Sequence, residues 1–227
     1  TGAATYFITV IDTLGCTDVD TVSVTEPGLI QASVSIIQHV NCYDSANGEL
    51  EAIVIGGTLG YSYLWDDPLS QTTQTATSLI PGSYSVTVTD TNNCPPAISA
   101  PAIITQPDSL YISVLTFTPV ECNGGSTGTA TVVADGGTPN YSYAWSSGSS
   151  TDVAPSLIAG NYTIQISDAK GCSRESSIFV TEPDVLSASY MGGAVSCIGG
   201  SDGWATVVVN GGVGPFEYLW EDSTTLA

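Results

Sequence analysis

The feature that most constrains this chain is internal repetition. The stretch LIPGSYSVTVTDTNNC at Leu79–Cys94 returns 78 residues later as LIAGNYTIQISDAKGC at Leu157–Cys172. An earlier copy, TYFITVIDTLGC, aligns with both without gaps. Tyr6, Tyr84 and Tyr162 therefore stand 78 residues apart, as do Asp12, Asp90 and Asp168, and Cys16, Cys94 and Cys172. A second phrase reads GGTLGYSYLW, GGTPNYSYAW and GGVGPFEYLW, ending at Trp65, Trp145 and Trp220. A third reads VTEPG, ITQPD and VTEPD, with Pro27, Pro107 and Pro183. A fixed period of this size marks a string of small units, each one supersecondary structure deep, and not one large fold. Cutting at the prolines gives two whole units, 28–107 and 108–183. Residues 1–27 read as the C-terminal part of a preceding unit, and 184–227 as the N-terminal part of a following one. On this reading the 227 residues are a window on a longer array.

Each unit reads as strands. In 108–183 the order is LYISVLTFTPVEC, the Gly-rich turn NGGSTG, TATVVAD, YSYAW, a Ser/Gly stretch, DVAPSLIAG, NYTIQISDA, a turn at KG, and SSIFVTEP. That is about seven short strands in fewer than 80 residues, the pattern of a β-sandwich. Period-two alternation says which side is buried. Tyr61, Tyr63 and Trp65 share a face, as do Tyr84, Val86 and Val88, and Tyr162, Ile164 and Ile166. Leu50, Ala52 and Val54 match Ala130, Val132 and Ala134, and then Ala205, Val207 and Val209. The structural core is expected at Trp65, Tyr84, Trp145, Tyr162, Trp220 and Tyr6. The pattern Leu-x-x-Gly-x-Tyr at Leu79/Gly82/Tyr84 and Leu157/Gly160/Tyr162 fits a tyrosine corner, in which a Tyr hydroxyl bonds backbone just upstream. The expected fold class is all-β: tandem immunoglobulin-like β-sandwich repeats of about 78 residues, arranged end to end.

Charge excludes whole classes of partner. Against 22 acidic residues the chain has Lys170 and Arg174 alone, for a net charge of −20. Phosphate backbones and anionic lipid would be repelled, so nucleic acid is not an expected partner. Charged residues are only 11% of the chain, which separates it from a disordered acidic tail. No apolar run is long enough to insert this segment in a membrane.

The run of phrases C-x-G, GGT-x-x-Y-x-Y-x-W, L-x-x-G-x-Y-x-V-x-V-x-D-x-x-x-C and V-T-x-P resembles the SprB repeat family. It is carried here by Cys122, Gly136, Gly137, Tyr141, Tyr143, Trp145, Leu157, Gly160, Tyr162, Asp168, Cys172 and Pro183, with their counterparts in the other units. The resemblance implies tandem modules of large, secreted, cell-surface proteins of the Bacteroidetes, gliding-motility adhesins among them. The 28–107 unit departs from the pattern. Its stretch TDTNNCPPAISAPAIITQP has a Pro-rich insert and no Gly before Cys94, which predicts a bulged or short last strand.

Six cysteines in a chain of this kind predict disulfides. Each whole unit has one at the end of its first strand (Cys42, Cys122) and one at the turn into its last (Cys94, Cys172). Pairing within a unit, Cys42–Cys94 and Cys122–Cys172, requires two turns about one strand length apart, on the order of 20 Å, to meet. A disulfide needs Cα atoms within roughly 7 Å. End-to-end stacking favours Cys42 with Cys172, leaving the partners of Cys16, Cys94, Cys122 and Cys197 in other units. Within-unit pairing and free thiols are the alternatives.

Acidic clusters at Asp90–Asn93, Asp44–Glu49 and Gly200–Gly203, with the joining Glu26, Glu182 and Asp184, offer oxygen ligands for Ca²⁺. Asx-turns account for the same residues, and turn chemistry is the expected role. No cofactor is expected. The Tyr/Tyr/Trp stripe could stack on sugars but reads as core, whereas Trp204 sits on the opposite face from Ala205 and Val207. His39 is the only histidine, Asp66/Asp67 has no copy in the next unit, and no nucleophile–base or phosphate-loop motif occurs, so no enzyme is expected. The expectation is a structural stalk or fibre segment of a large extracellular adhesin, secreted to the cell surface. Its partners are neighbouring repeats of the same chain and other copies in a fibre. A glycan- or protein-binding surface module and a subunit of a self-assembling filament are the alternatives.

Overall fold

The structure is a computed structural model and describes residues 2–221, so Thr1 and the last six residues of the 184–227 unit lie outside the described residues. Every regular element is a β-strand, and there is no helix among the described residues. None is therefore long and apolar enough to cross a membrane. The chain divides into two compact units, Thr1–Pro107 and Asp108–Ala227, with the division at the second joining proline.

In the first unit, β1 (Ala4–Ile11) and β2 (Thr17–Val24) form a hairpin. A sandwich comes next, made of β3 (Gln31–Gln38), β4 (Gly48–Ile55), β5 (Ser62–Trp65), β6 (Thr75–Leu79), β7 (Gly82–Tyr84), β8 (Val86–Thr89), β9 (Ala97–Ile98) and β10 (Ala102–Ile104). One sheet has the order β3-β4-β6. The facing strands pair as β5-β8-β9 and β10-β7. All pairings are antiparallel. The core is Trp65, Leu50, Leu79, Val86, Val88 and Ile104, each at most 2% exposed.

The second unit contains β11 (Tyr111–Thr118), β12 (Gly128–Asp135), β13 (Ser142–Trp145), β14 (Val153–Leu157), β15 (Gly160–Ser167) and β16 (Ser173–Val180), then a hairpin of β17 (Ser187–Gly193) and β18 (Trp204–Asn210). Its sheets are β11-β12-β14 and β13-β15-β16. Its core gathers Leu110, Val132, Trp145, Leu157, Ile164, Ile166 and Val180. Both whole repeats thus place strands A, B and E (β3, β4 and β6; β11, β12 and β14) on one sheet and C, F and G (β5, β7–β8 and β9–β10; β13, β15 and β16) on the other, the immunoglobulin-like arrangement.

Two local features of the strands have physical causes. The Ser/Gly stretch after Trp145 is a turn that folds back to cap the indole. Trp145 Nε1 donates to the Thr151 carbonyl at 3.0 Å, and Trp65 Nε1 to that of Thr73 at 2.9 Å. As the Pro-rich insert predicts, the last strand of the first repeat is short and broken in two, and the strand beside it is broken as well. Pro95, Pro96 and Pro101 have no N–H to give a ladder, and two extra residues separate Cys94 from Pro107 relative to Cys172 and Pro183. Ser99 repairs the gap, its N–H donating to the Val86 carbonyl at 3.0 Å and its hydroxyl oxygen accepting the Val86 N–H at 3.1 Å.

The tyrosine corner is present at each copy of its phrase. Tyr84 Oη donates to the Ile80 carbonyl at 2.9 Å, Tyr162 Oη to Ile158 at 3.1 Å and Tyr6 Oη to Gly2 at 2.8 Å, always four residues upstream. Each such bond contributes about 1 kcal/mol net.

Candidate functional site

The repeated Asp, double glycine and first stripe Tyr converge on one end of each sandwich, where the B–C connection meets the F–G turn. The aspartate of the Tyr phrase is the tie. In the second repeat, Asp168 Oδ1 accepts the N–H groups of Lys170 and Cys172, both at 2.9 Å, and Oδ2 accepts that of Thr138 at 2.8 Å. In the first, Asp90 accepts Cys94 N–H and Thr58 N–H, both at 3.0 Å. Asp12 makes the same turn with Leu14 and Cys16. Asp90 and Asp168 are 3% and 6% exposed, so these carboxylates face backbone donors and not solvent.

The double glycine lies against the aspartate. Gly57 N–H donates to the Gly28 carbonyl at 2.8 Å, Gly137 to Asp108 at 3.0 Å and Gly212 to Asp184 at 2.9 Å. All six glycines of the three pairs have φ between +59° and +76°, the left-handed region that L side chains avoid. The first tyrosine of the aromatic stripe closes the same turn: Tyr61 Oη donates to the Gly56 carbonyl at 2.6 Å and Tyr141 Oη to Gly136 at 2.7 Å. Tyr61, Tyr63, Tyr141 and Tyr143 are half-buried and pack against the cores, while Trp65 and Trp145 belong to them. The stripe presents no open sugar platform in these repeats.

The unrepeated candidates are also spent on backbone. Asp66 accepts the Ser85 N–H at 2.8 Å and its hydroxyl at 2.7 Å. Asp67 accepts Leu69 N–H, Gln71 N–H and the Gln71 side-chain amide. Burial pushes the Asp67 carboxyl up, but these donors outweigh it and hold it below its ordinary value. Glu182 accepts the Gly124 N–H at 2.7 Å, and His39 Nδ1 accepts the Thr105 N–H at 3.1 Å. Among the described residues no three His, Cys, Asp or Glu side chains converge as metal ligands. Nor does any buried side-chain nitrogen or oxygen among them lack a partner. Trp204 is 57% exposed and Trp220 62%, while Tyr6 is half-buried.

Cys42 and Cys172 are the disulfide-bonded cysteines. Cys16, Cys94, Cys122 and Cys197 carry free thiols. Pairing within a repeat is thereby overturned, and the fold gives the reason. The A–B turn lies at the pole where Val120 N–H bonds the Thr181 carbonyl, and the F–G turn lies where Asp168 bonds Thr138. An eight-residue strand, about 27 Å, separates them. The Asp90 carboxylate, with burial adding to it, pushes the Cys94 thiol up and makes it a weak nucleophile.

Acid should open the Asp90 tie. Amides of Cys94 and Thr58 hold its carboxyl below the ordinary value. A group with a lowered folded pKa stabilises the fold above its unfolded pKa and loses that contribution as pH falls through the folded value. The loss is therefore expected below about pH 4. Hydrogen exchange at the Thr58 and Cys94 amides should accelerate there more than at core amides such as Val86. Equal acceleration would refute the assignment.

The SprB repeat model matches the chain at residues 34–70, 114–150 and 195–225. Among curated proteins no relative matches. Similar solved structures include three N-terminal domains of the bacteriophage RB49 Highly Immunogenic Outer Capsid protein. The match has 15% identity and a TM-score of 0.43, over 87% of this chain and 72% of that one. The N-terminal eight Ig domains of Down Syndrome Cell Adhesion Molecule isoform 1.30.30 match at 15% identity and a TM-score of 0.38, over 80% of this chain and 27% of theirs. A tetra-tandem repeat in the extending region of a large adhesion protein matches at 13% identity and a TM-score of 0.25, over 92% of this chain and 70% of that one.

Proposed function

We propose that the chain, which matches the SprB repeat model at three places, serves as a structural stalk segment of an extracellular adhesin. The observation that carries this reading is where the repeated residues go. Trp, Tyr, Asp and the double glycine recur because each is used to close the sandwich: the indole caps the C–E turn, one Tyr locks the corner, another locks the glycines, and Asp joins two loops. In the two whole repeats these Trp, Tyr, Asp and Gly residues are all spent on maintaining the module. Tandem sandwiches add length, roughly 30 Å each when one strand tall. An anionic surface with two cationic side chains keeps fibres apart and offers trypsin-like proteases little.

In this reading Cys42 and Cys172 bond to one another, so that the staple crosses from one repeat to the next. Such a bond typically contributes about 2–4 kcal/mol and resists bending at the joint. The test is non-reducing peptide mapping together with small-angle scattering of the wild type and of Cys42→Ser. A peptide linking Cys42 to Cys172, and a shorter maximum dimension in the variant, are expected. An unchanged dimension would remove the stiffening role. Specific binding on a glycan array would favour a recognition module instead.

A further inference from the structure

The chain contains three Asn-Gly pairs, Asn47–Gly48, Asn123–Gly124 and Asn210–Gly211. Such a pair is open to self-attack, because glycine has no Cβ to hold its nitrogen away from the preceding side-chain amide. The fold treats the three differently. Gly48 is buried at the start of β4, where it pairs with Leu79, and Asn47 Oδ1 accepts the Asn41 N–H at 3.0 Å. Gly211 lies against the Val185 carbonyl, with no room for a Cβ. Asn123 and Gly124 are both exposed, and nothing lies within 4 Å of the place a Cβ on Gly124 would take.

At Asn123–Gly124 one dipeptide holds both nitrogens that the self-attack uses. Glu182 Oε2 accepts the Gly124 N–H at 2.7 Å, and Asn123 Nδ2 donates to the Pro183 carbonyl at 3.0 Å. A carboxylate at that distance is within reach of the proton a general base removes. The first whole repeat builds the same contact without the chemistry. There the Asp44 N–H donates to Gln106 Oε1 at 2.8 Å, with Tyr43 in the place of Asn123. The acceptor is a neutral amide, and no carboxamide precedes the nitrogen. The turn thus needs an acceptor at this point, but neither a carboxylate nor an Asn-Gly pair.

We propose that Asn123 is a modification site, which the repeat itself converts to aspartate and isoaspartate with Glu182 as general base. Glu182 takes the Gly124 N–H proton, and the Gly124 nitrogen attacks Asn123 Cγ. The new N–Cγ bond closes a succinimide ring as the Cγ–Nδ2 bond breaks. The proton held by Glu182 leaves with Nδ2 as ammonia, so the carboxylate is restored. Water then opens the ring at either carbonyl, giving aspartate or isoaspartate at position 123. Nothing is oxidised or reduced. The product lacks the Nδ2–H that bonds the Pro183 carbonyl, and it places a new negative charge in the turn that Glu182 already occupies. The tie between the A–B turn and the joining proline therefore opens, and loss of ammonia makes the change one-way. The site stands on the geometry of the repeat and not on the stalk role.

The test is peptide mapping of the whole chain after ageing at neutral pH and physiological temperature. Asn123 should convert about 10-fold or more faster than Asn47 and Asn210, giving aspartate and isoaspartate together. Glu182→Gln keeps an acceptor for the Gly124 N–H, as Gln106 does for Asp44 in the first repeat, and removes the base. It should slow Asn123 about 10-fold or more and leave Asn47 unchanged. In urea, where the fold no longer holds Glu182 against Gly124, the three pairs of the wild type should convert at similar rates. That comparison does not depend on how the variant folds. An Asn123 no faster than Asn47 in the folded chain would overturn the proposal. So would a rate untouched by Glu182→Gln, aspartate without isoaspartate, or an excess at Asn123 that survives urea.

Discussion

Trp145→Ala unfolds the second whole repeat at markedly lower denaturant while the first keeps its own transition. The indole is 4% exposed and sits among Val132, Ile164 and Ile166. Trp-to-Ala truncation in a core costs about 3–5 kcal/mol. The change also frees the Thr151 carbonyl that Nε1 bonds at 3.0 Å, and with it the turn into β14. A domain of this size has only about 0.05–0.15 kcal/mol of stability per residue, so the loss removes much or all of it. The second half of the prediction is the sharper one. The two cores share no residue: one runs from Val40 to Ile104, the other from Leu110 to Val180. Urea unfolding monitored by hydrogen exchange should show core amides of 110–180 exposed early and Val86 and Val88 still protected. Trp65→Ala should give the mirror image. A single merged transition in either variant would mean that the repeats fold as one body.

Much of this was legible in the residues, and for identifiable reasons. Alternation located Val86, Val88, Ile164 and Ile166 because a strand with one face on a core buries every second side chain, whichever strands pair with it. The tyrosine corner was legible because donor and acceptor lie four residues apart, within one phrase. The cysteine argument needed only the length of a strand against the reach of a disulfide. What escaped were ties between segments distant in sequence. Nothing local marks Ser99 as the substitute rung for Val86, or Asp66 as the acceptor for Ser85 some 19 residues away. The capture of the Ser/Gly stretch by the indole that precedes it escaped for the same reason, since propensity does not record such a bond. The stripe did carry a usable signal. Gly56 and Tyr61, like Gly136 and Tyr141, keep a spacing of five, as their hydrogen bonds require.

The double glycine carries the largest backbone effect, and Gly136→Ala isolates it. Two costs act at this position. With φ at +72°, any L residue there pays roughly 1–2 kcal/mol for the left-handed conformation. A Cβ would also fall far inside contact distance of the Ser109 carbonyl oxygen, with the Tyr111 ring just beyond. That oxygen belongs to backbone at the start of the repeat and cannot rotate away. Relief requires moving the chain next to the Gly137–Asp108 hydrogen bond and the Tyr141 lock on Gly136. We expect a total of about 3 kcal/mol or more, the range of strained-backbone and overpacking changes combined. Gly148→Ala is the control: φ is +92° there too, but nothing lies within 4 Å of the new carbon, so the conformational share alone should appear. Gly56→Ala should repeat the large effect in the first repeat, where the oxygen is that of Leu29. Denaturant midpoints for the three variants decide the matter. If Gly136→Ala and Gly148→Ala cost the same, the close approach of joint and B–C turn contributes nothing, and the glycines recur for conformation alone.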